Sequence, residues 1–162
     1  MKIKTKKGFT LIELIVVIAI IGFLTTVTII SLQTAKQKGS DAGKIKALAE
    51  INKALNIYFT DANGGAGTYP SGTDLSSLVN GPIKYIASID SKIKYQGLTA
   101  NNTVCSSGGC YSYVLYTILS DDKNKVLKSD KDVSVPSISF NGATSNCSST
   151  GETTDLCYDI TP

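Results

Sequence analysis

From Phe9 to Leu32 the sequence carries a single charge, Glu13. A helix over this run can cross a bilayer core, which takes about 20 apolar residues. No other stretch constrains the fold as strongly, because an apolar helix of that length must end in lipid or in other protein. Upstream stand Lys2, Lys4, Lys6 and Lys7, with no acid among them. Lysines so close to a first apolar segment favour an N-terminus kept in the cytoplasm. Glu13 is the anomaly. A carboxylate within a membrane segment costs about 2.5–3.5 kcal/mol, so a partner is expected. The free N–H groups and positive dipole at the helix start offset part of that cost. Snorkelling at the interface is the plain alternative. A cut between Gly8 and Phe9 would instead put a new α-amino group one helical turn from Glu13.

Behind its lysine-rich leader, Gly8-Phe9-Thr10-Leu11-Ile12-Glu13-Leu14 resembles the prepilin signature of type IV pilins and type II secretion pseudopilins. The resemblance implies a membrane-inserted precursor that a prepilin peptidase cleaves after Gly8 and methylates at Phe9. Glu13 would then pair with the N-terminal amine of a neighbouring subunit as a helical filament assembles. The implied partners are copies of the chain and related pilins, the peptidase, a membrane assembly platform and the lipid bilayer. The implied location is the inner membrane, single-pass with the head extracytoplasmic, and afterwards the filament. Gly22 matches a glycine common in the family's helix, whereas Ile30 stands where many members have proline. The motif likeness covers residues 1–32. A secretory signal peptide would need a small-x-small cleavage site, and none is convincing through Ser31. An uncleaved anchor carrying a monomeric extracytoplasmic binding domain is the competing function.

All sixteen basic residues are lysines, four of them in the leader. Beyond residue 8, twelve lysines face thirteen acids, so the remainder has no basic footprint for nucleic acid. Histidine, arginine and tryptophan are absent, which removes the commonest general base. The serines form no G-x-S-x-G elbow, and Gly64-Gly65-Ala66-Gly67 lacks the lysine that a phosphate-binding loop requires. No catalytic residue, cofactor or metal is assigned. The spacings of Cys105, Cys110, Cys147 and Cys157 match neither zinc nor redox C-x-x-C patterns. In an oxidising compartment they would form disulfides. Of the three possible pairings, the local ones, Cys105–Cys110 and Cys147–Cys157, each bracket a Ser/Gly/Asn-rich loop.

The expected fold is α+β and pilin-like: a long N-terminal helix, its first half transmembrane, packed on a small antiparallel head with a disulfide-closed C-terminal loop. The expected divisions are 1–8 leader, 9–35 membrane and assembly helix, 36–60 amphipathic continuation, and 61–162 head. Ile45, Leu48, Ile51, Leu55 and Tyr58 or Phe59 recur at helical spacing. One helix from Phe9 to Phe59 is expected, with a hinge at Gly39–Gly43 as the alternative. Glycines after Asp61 end it, and Thr73 or Asp74 can cap a short helix to Val79. Strands are expected at Lys92–Gln96 and, most strongly, Tyr111–Leu119. A turn at Ser120–Asn124 would lead into Lys125–Lys128 as a hairpin, with a weaker edge strand over Val133–Phe140. Asp121, Asp122, Asn124, Asp130 and Asp132 are oxygen-rich but lack an EF-hand pattern, and their interleaved lysines suit a solvated turn. Because some pseudopilins bind calcium in a C-terminal loop, the resemblance keeps Asp155 and Asp159 in view as well.

Overall fold

The computed structural model describes residues 8–148 and 154–162. The lysine-rich part of the expected leader therefore lies outside the described residues. The chain divides into two compact units, the first ending at Gln37 and the second running from Lys38 to Pro162.

Helix α1 spans Leu11–Thr60 without interruption at Gly39 or Gly43. In the first unit its described apolar side chains are exposed: Leu11 is 76% exposed, Phe23 72% and Leu32 68%. Its most apolar window is long enough to cross a membrane. Water would tolerate neither the length nor the continuity of such an apolar surface. Thr25 and Thr28 turn their hydroxyls back onto the Ile21 and Leu24 carbonyls, which hides polar groups in an apolar segment.

In the second unit the helix becomes one-sided. Leu48, Ile51, Ala54 and Leu55 are buried, while Lys46, Glu50 and Lys53 remain exposed. Beyond Thr60 the chain turns on itself, the Gly65 and Gly67 amides donating to the Tyr58 and Phe59 carbonyls. Gly67 takes φ +90°, open only to glycine at little cost. Gly65 is needed for space, since a Cβ there would lie 1.8 Å from the Thr68 carbonyl oxygen.

A short helix α2, Ser76–Asn80, follows. Its N-cap is Leu75 rather than Thr73 or Asp74. Asp74 nevertheless accepts hydrogen bonds from the Ser76 N–H and hydroxyl, satisfying one free donor from just outside the cap.

The main sheet has strand order β1-β2-β5, antiparallel throughout, built from Lys94–Leu98, Ser112–Ile118 and Cys157–Ile160. Tyr95 pairs with Leu115 across β1 and β2, and Leu115 pairs with Ile160 across β2 and β5. One face meets α1. Tyr95, Tyr113 and Leu115 pack there with Leu48, Ile51 and Leu55. Phe59 stacks on Tyr69, and Tyr69 meets Tyr113 edge-on, both with ring centroids 4.7 Å apart. Tyr113 donates its hydroxyl to Asn52, tying sheet to helix. The opposite face carries Leu98, Val114 and Tyr116 against Val135 and Phe140.

Three sequence expectations are corrected. Strand β1 starts at Lys94 rather than Lys92, because Asp90 holds a turn through the Lys92 and Ile93 amides. Lys125–Lys128 forms no hairpin strand with β2, whose two edges are already taken by β1 and β5. It is a 3₁₀ turn instead, capped by the Asn124 side chain on the Val126 N–H, with Leu127 buried. Val133–Phe140 is likewise not one strand. Pro136–Ile138 forms a 3₁₀ turn between β3, Ser134–Val135, and β4, Phe140–Asn141, which pair with each other.

Cys105 is bonded to Cys110, and Cys147 to Cys157.

Candidate functional site

At the start of α1, Thr10 and Glu13 form a reciprocal cap. Glu13 Oε2 accepts from both the Thr10 N–H and the Thr10 hydroxyl at 2.7 Å, and the Glu13 N–H reaches Thr10 Oγ1 at 3.4 Å. This is a capping box, Thr-x-x-Glu with the acid at the third helical position. It gives Glu13 an acceptor role within its own chain while Phe9, 92% exposed, is free of packing. The pattern was present in the sequence at Thr10 and went unused there. Gly8 has nothing within 4 Å of where a Cβ would stand, so its surroundings leave the backbone open to approach.

A second constellation lies where α1 meets the end of β2. Asp41 is fully buried and accepts from the Ser120 N–H with both oxygens, at 3.0 and 2.9 Å, and from the Asp121 N–H at 3.0 Å. Lys44, one helical turn on, pairs with Asp41 at 3.2 Å and donates to the Ile118 carbonyl at 2.7 Å. Two helix side chains thus tie down the chain as it leaves β2. Nothing in the local sequence around Asp41 marks it as buried.

The third constellation gathers acids from distant positions. Ligand oxygens of Asp130, Asp132 and Asp155 come within 4.8 Å of one another. Asp159, fully buried on β5, adds its charge: Oδ2 accepts from the Val133 N–H at 3.1 Å, while Oδ1 has no hydrogen-bond partner. Both oxygens of Asp130 are also buried without one. Burial first, then repulsion from Asp132, Asp155 and Asp159, pushes the Asp130 carboxyl up to about 7. Burial likewise pushes Asp159 up to about 6 against the opposing Val133 hydrogen bond. Orphaned buried carboxylate oxygens with no ion-pair partner among the described residues fit a hard cation, and an all-oxygen donor set suits calcium. Asp130, Asp132 and Asp155 are the residues that would hold it, and the cation would neutralise their charge and link the approach to β5 with the loop before β3. The sequence cluster is therefore split: Asp121 accepts from the Lys123 amide and Asn124 caps a turn, so neither belongs to this group.

The sign of the pH dependence follows. Three carboxyls, Asp130, Asp159 and, through burial, Asp155, titrate higher folded than unfolded, so the folded state holds extra protons between about pH 4 and 7. Their contribution to stability is full below the unfolded values and is lost as pH rises through the folded ones. In chelator, the thermal midpoint should fall from pH 5 to pH 7.5. Excess calcium should raise it, and more at pH 7.5 than at pH 5, where protons compete. Differential scanning calorimetry of the chain in detergent decides this; a calcium effect of equal size at both values would contradict it.

A family described as the prokaryotic N-terminal methylation motif matches residues 3–29. The type II secretion system core protein G of Aeromonas hydrophila is 32% identical over 83 residues, 51% of this chain and 55% of that protein. Core protein G of Pectobacterium carotovorum subsp. carotovorum is 33% identical over 78 residues, 48% of this chain and 47% of that protein. The Escherichia coli K12 protein of the same name is 33% identical over 78 residues, 48% of this chain and 51% of that protein. The chain thus spans about half the length of the curated relatives it matches. No solved structure matches. The methylation motif thus opens an exposed apolar helix long enough to cross a membrane. The motif and the relatives together support the type IV pilin and type II secretion pseudopilin family.

Proposed function

We propose that the chain is a structural subunit of a type II secretion pseudopilus or a type IV pilus-like filament. It is inserted in the inner membrane with its N-terminus cytoplasmic, cleaved after Gly8 by a prepilin peptidase, and methylated at Phe9. Extraction onto an assembly platform then packs the apolar half of α1 against copies of itself and related pilins. The divisions of labour are 1–8 as leader, 9–35 as membrane and assembly helix, 36–60 as the helix that carries the head, and 61–162 as the head. The observation that carries this reading is the unpacked apolar helix beginning at the methylation motif. Such a surface needs lipid first and protein afterwards, and Glu13 supplies the polar group that differs between the two. No catalytic role is proposed, and a monomeric anchored binding domain leaves the motif without a purpose.

The first test is intact-mass and N-terminal analysis of protein taken from its host membranes. The expected chain begins at Phe9 and carries one added methyl group. A chain beginning at Met1 in cells with active prepilin peptidase would reduce the protein to an ordinary anchored domain.

A further inference from the structure

Beside the Asp41–Lys44 contact, α1 and the ends of β1 and β2 enclose a cleft of about 370 Å³ whose walls are mainly apolar. Ser40, Lys44, Lys92, Lys94, Tyr116 and Ile118 line it. The size falls in the range of small-ligand sites. Three lysines line this space, but they are not equivalent. The Lys44 charge is already engaged by Asp41 and the Ile118 carbonyl. Lys92 and Lys94 have no ion-pair partner among the described residues. The nearest acid in sequence, Asp90, accepts from the Lys92 amide and lines the adjoining groove, which shares Lys94 and Tyr116 with this one. Ile118 is 45% exposed at the cleft wall, and the Tyr116 ring is half-buried, braced from behind by Phe140.

We propose that this cleft binds an amphiphilic anion, an acidic head such as a phosphate monoester or diester carried on an apolar chain. Lys92 and Lys94 meet the head, with the Ser40 hydroxyl as a further donor, and Tyr116 and Ile118 line the apolar body. The two halves of the site require each other. Exposed lysines alone hold a small anion weakly in salt, because water and counterions screen the attraction. An uncharged apolar molecule would use the apolar wall and gain nothing from the two lysine charges beside it. The inference is independent of filament assembly, since every residue in it belongs to the second unit. The ligand could come from the membrane as an anionic phospholipid or from solution as a soluble amphiphile.

The test uses the full chain in dodecyl maltoside and hexyl phosphate as the probe, with binding followed by saturation-transfer NMR. Saturable binding is expected, with inorganic phosphate and hexanol each binding about tenfold more weakly or worse, a difference of about 1.4 kcal/mol. The double variant Lys92→Gln/Lys94→Gln should weaken hexyl phosphate by a similar factor. Both lysines are surface residues, so the head should fold normally. Ile118→Ser should weaken hexyl phosphate and leave inorganic phosphate unchanged. Absence of saturable binding, or equal binding by the double variant, would overturn the proposal; so would inorganic phosphate matching hexyl phosphate. Displacement of bound hexyl phosphate by phosphatidylglycerol nanodiscs but not phosphatidylcholine nanodiscs would support the site and assign it to lipid. Retained binding in both would support it and assign it to a soluble amphiphile.

Discussion

Asp41→Ala should cost the head about 3–5 kcal/mol, the range for removing one partner of a buried charged pair. The carboxylate is the acceptor for the Ser120 and Asp121 amides and the counter-charge of Lys44, whose side chain is only 13% exposed. Alanine fills none of these roles. Two amides would lose their acceptor, at about 1–3 kcal/mol for each that water cannot reach, and an ammonium would be left without its pair. The turn after β2 would come away from α1 while the β1–β2 pairing persisted. Asp41→Asn keeps one acceptor oxygen and should fall between alanine and the parent. The measurement is urea unfolding of the full chain in detergent, followed by near-ultraviolet circular dichroism of the tyrosines. An alanine variant within about 0.5 kcal/mol of the parent, the spread of ordinary surface changes, would mean the contact contributes little.

The second large effect is expected in assembly. Glu13→Ala should still be cleaved and methylated, yet filaments should fall in number by about tenfold or more, because 1.4 kcal/mol per subunit contact already corresponds to tenfold. In the single chain Glu13 is held by Thr10, which lowers the cost of keeping a carboxylate near lipid. A neighbouring N-terminal amine offers a stronger, charge-assisted partner. Alanine removes the gain on docking while sparing the apolar packing, so membrane insertion is unaffected. Electron microscopy of filaments, with mass spectrometry of the processed chain as control, reads both parts. Filaments of normal number and length would sink the pairing mechanism.

The sequence revealed some elements and concealed others for separable physical reasons. Helix α1 was legible because its apolar run and the spacing of Leu48, Ile51 and Leu55 are periodic over many turns. Strand β2 was legible because β-branched and aromatic residues follow one another through Ser112–Ile118. Strand β5 passed unnoticed, since Cys157–Ile160 is too short to show alternation and owes its strand form to β2 beside it. Lys125–Lys128 misled because Val126 and Leu127, following a polar turn, fit the start of a returning strand as well as a 3₁₀ turn. What decided it was lack of a free sheet edge, which is a property of the whole fold. The acidic group was legible only in part: spacing showed Asp130 and Asp132, whereas Asp155 and Asp159 came into view through the family resemblance, because they join the others only when β5 takes its place. Asp41 shows the limit most clearly, because a polar residue between glycines reads as solvent-facing until the end of β2 is set upon it.

The two cross-links have a consequence for how the head is made. Their sequence separations are 5 and 10, so each closes a loop confined to its own neighbourhood. The alternative pairings would have to draw Cys105 or Cys110 to Cys147 or Cys157 across the length of β2, β3 and β4. Closing those longer loops costs more entropy, and the cost rises with the logarithm of loop length. Oxidation of a chain that has not yet folded is therefore biased toward the two bonds it finally keeps. Covalent closure and sheet formation can proceed in either order, and thiol shuffling is not a required step in maturation.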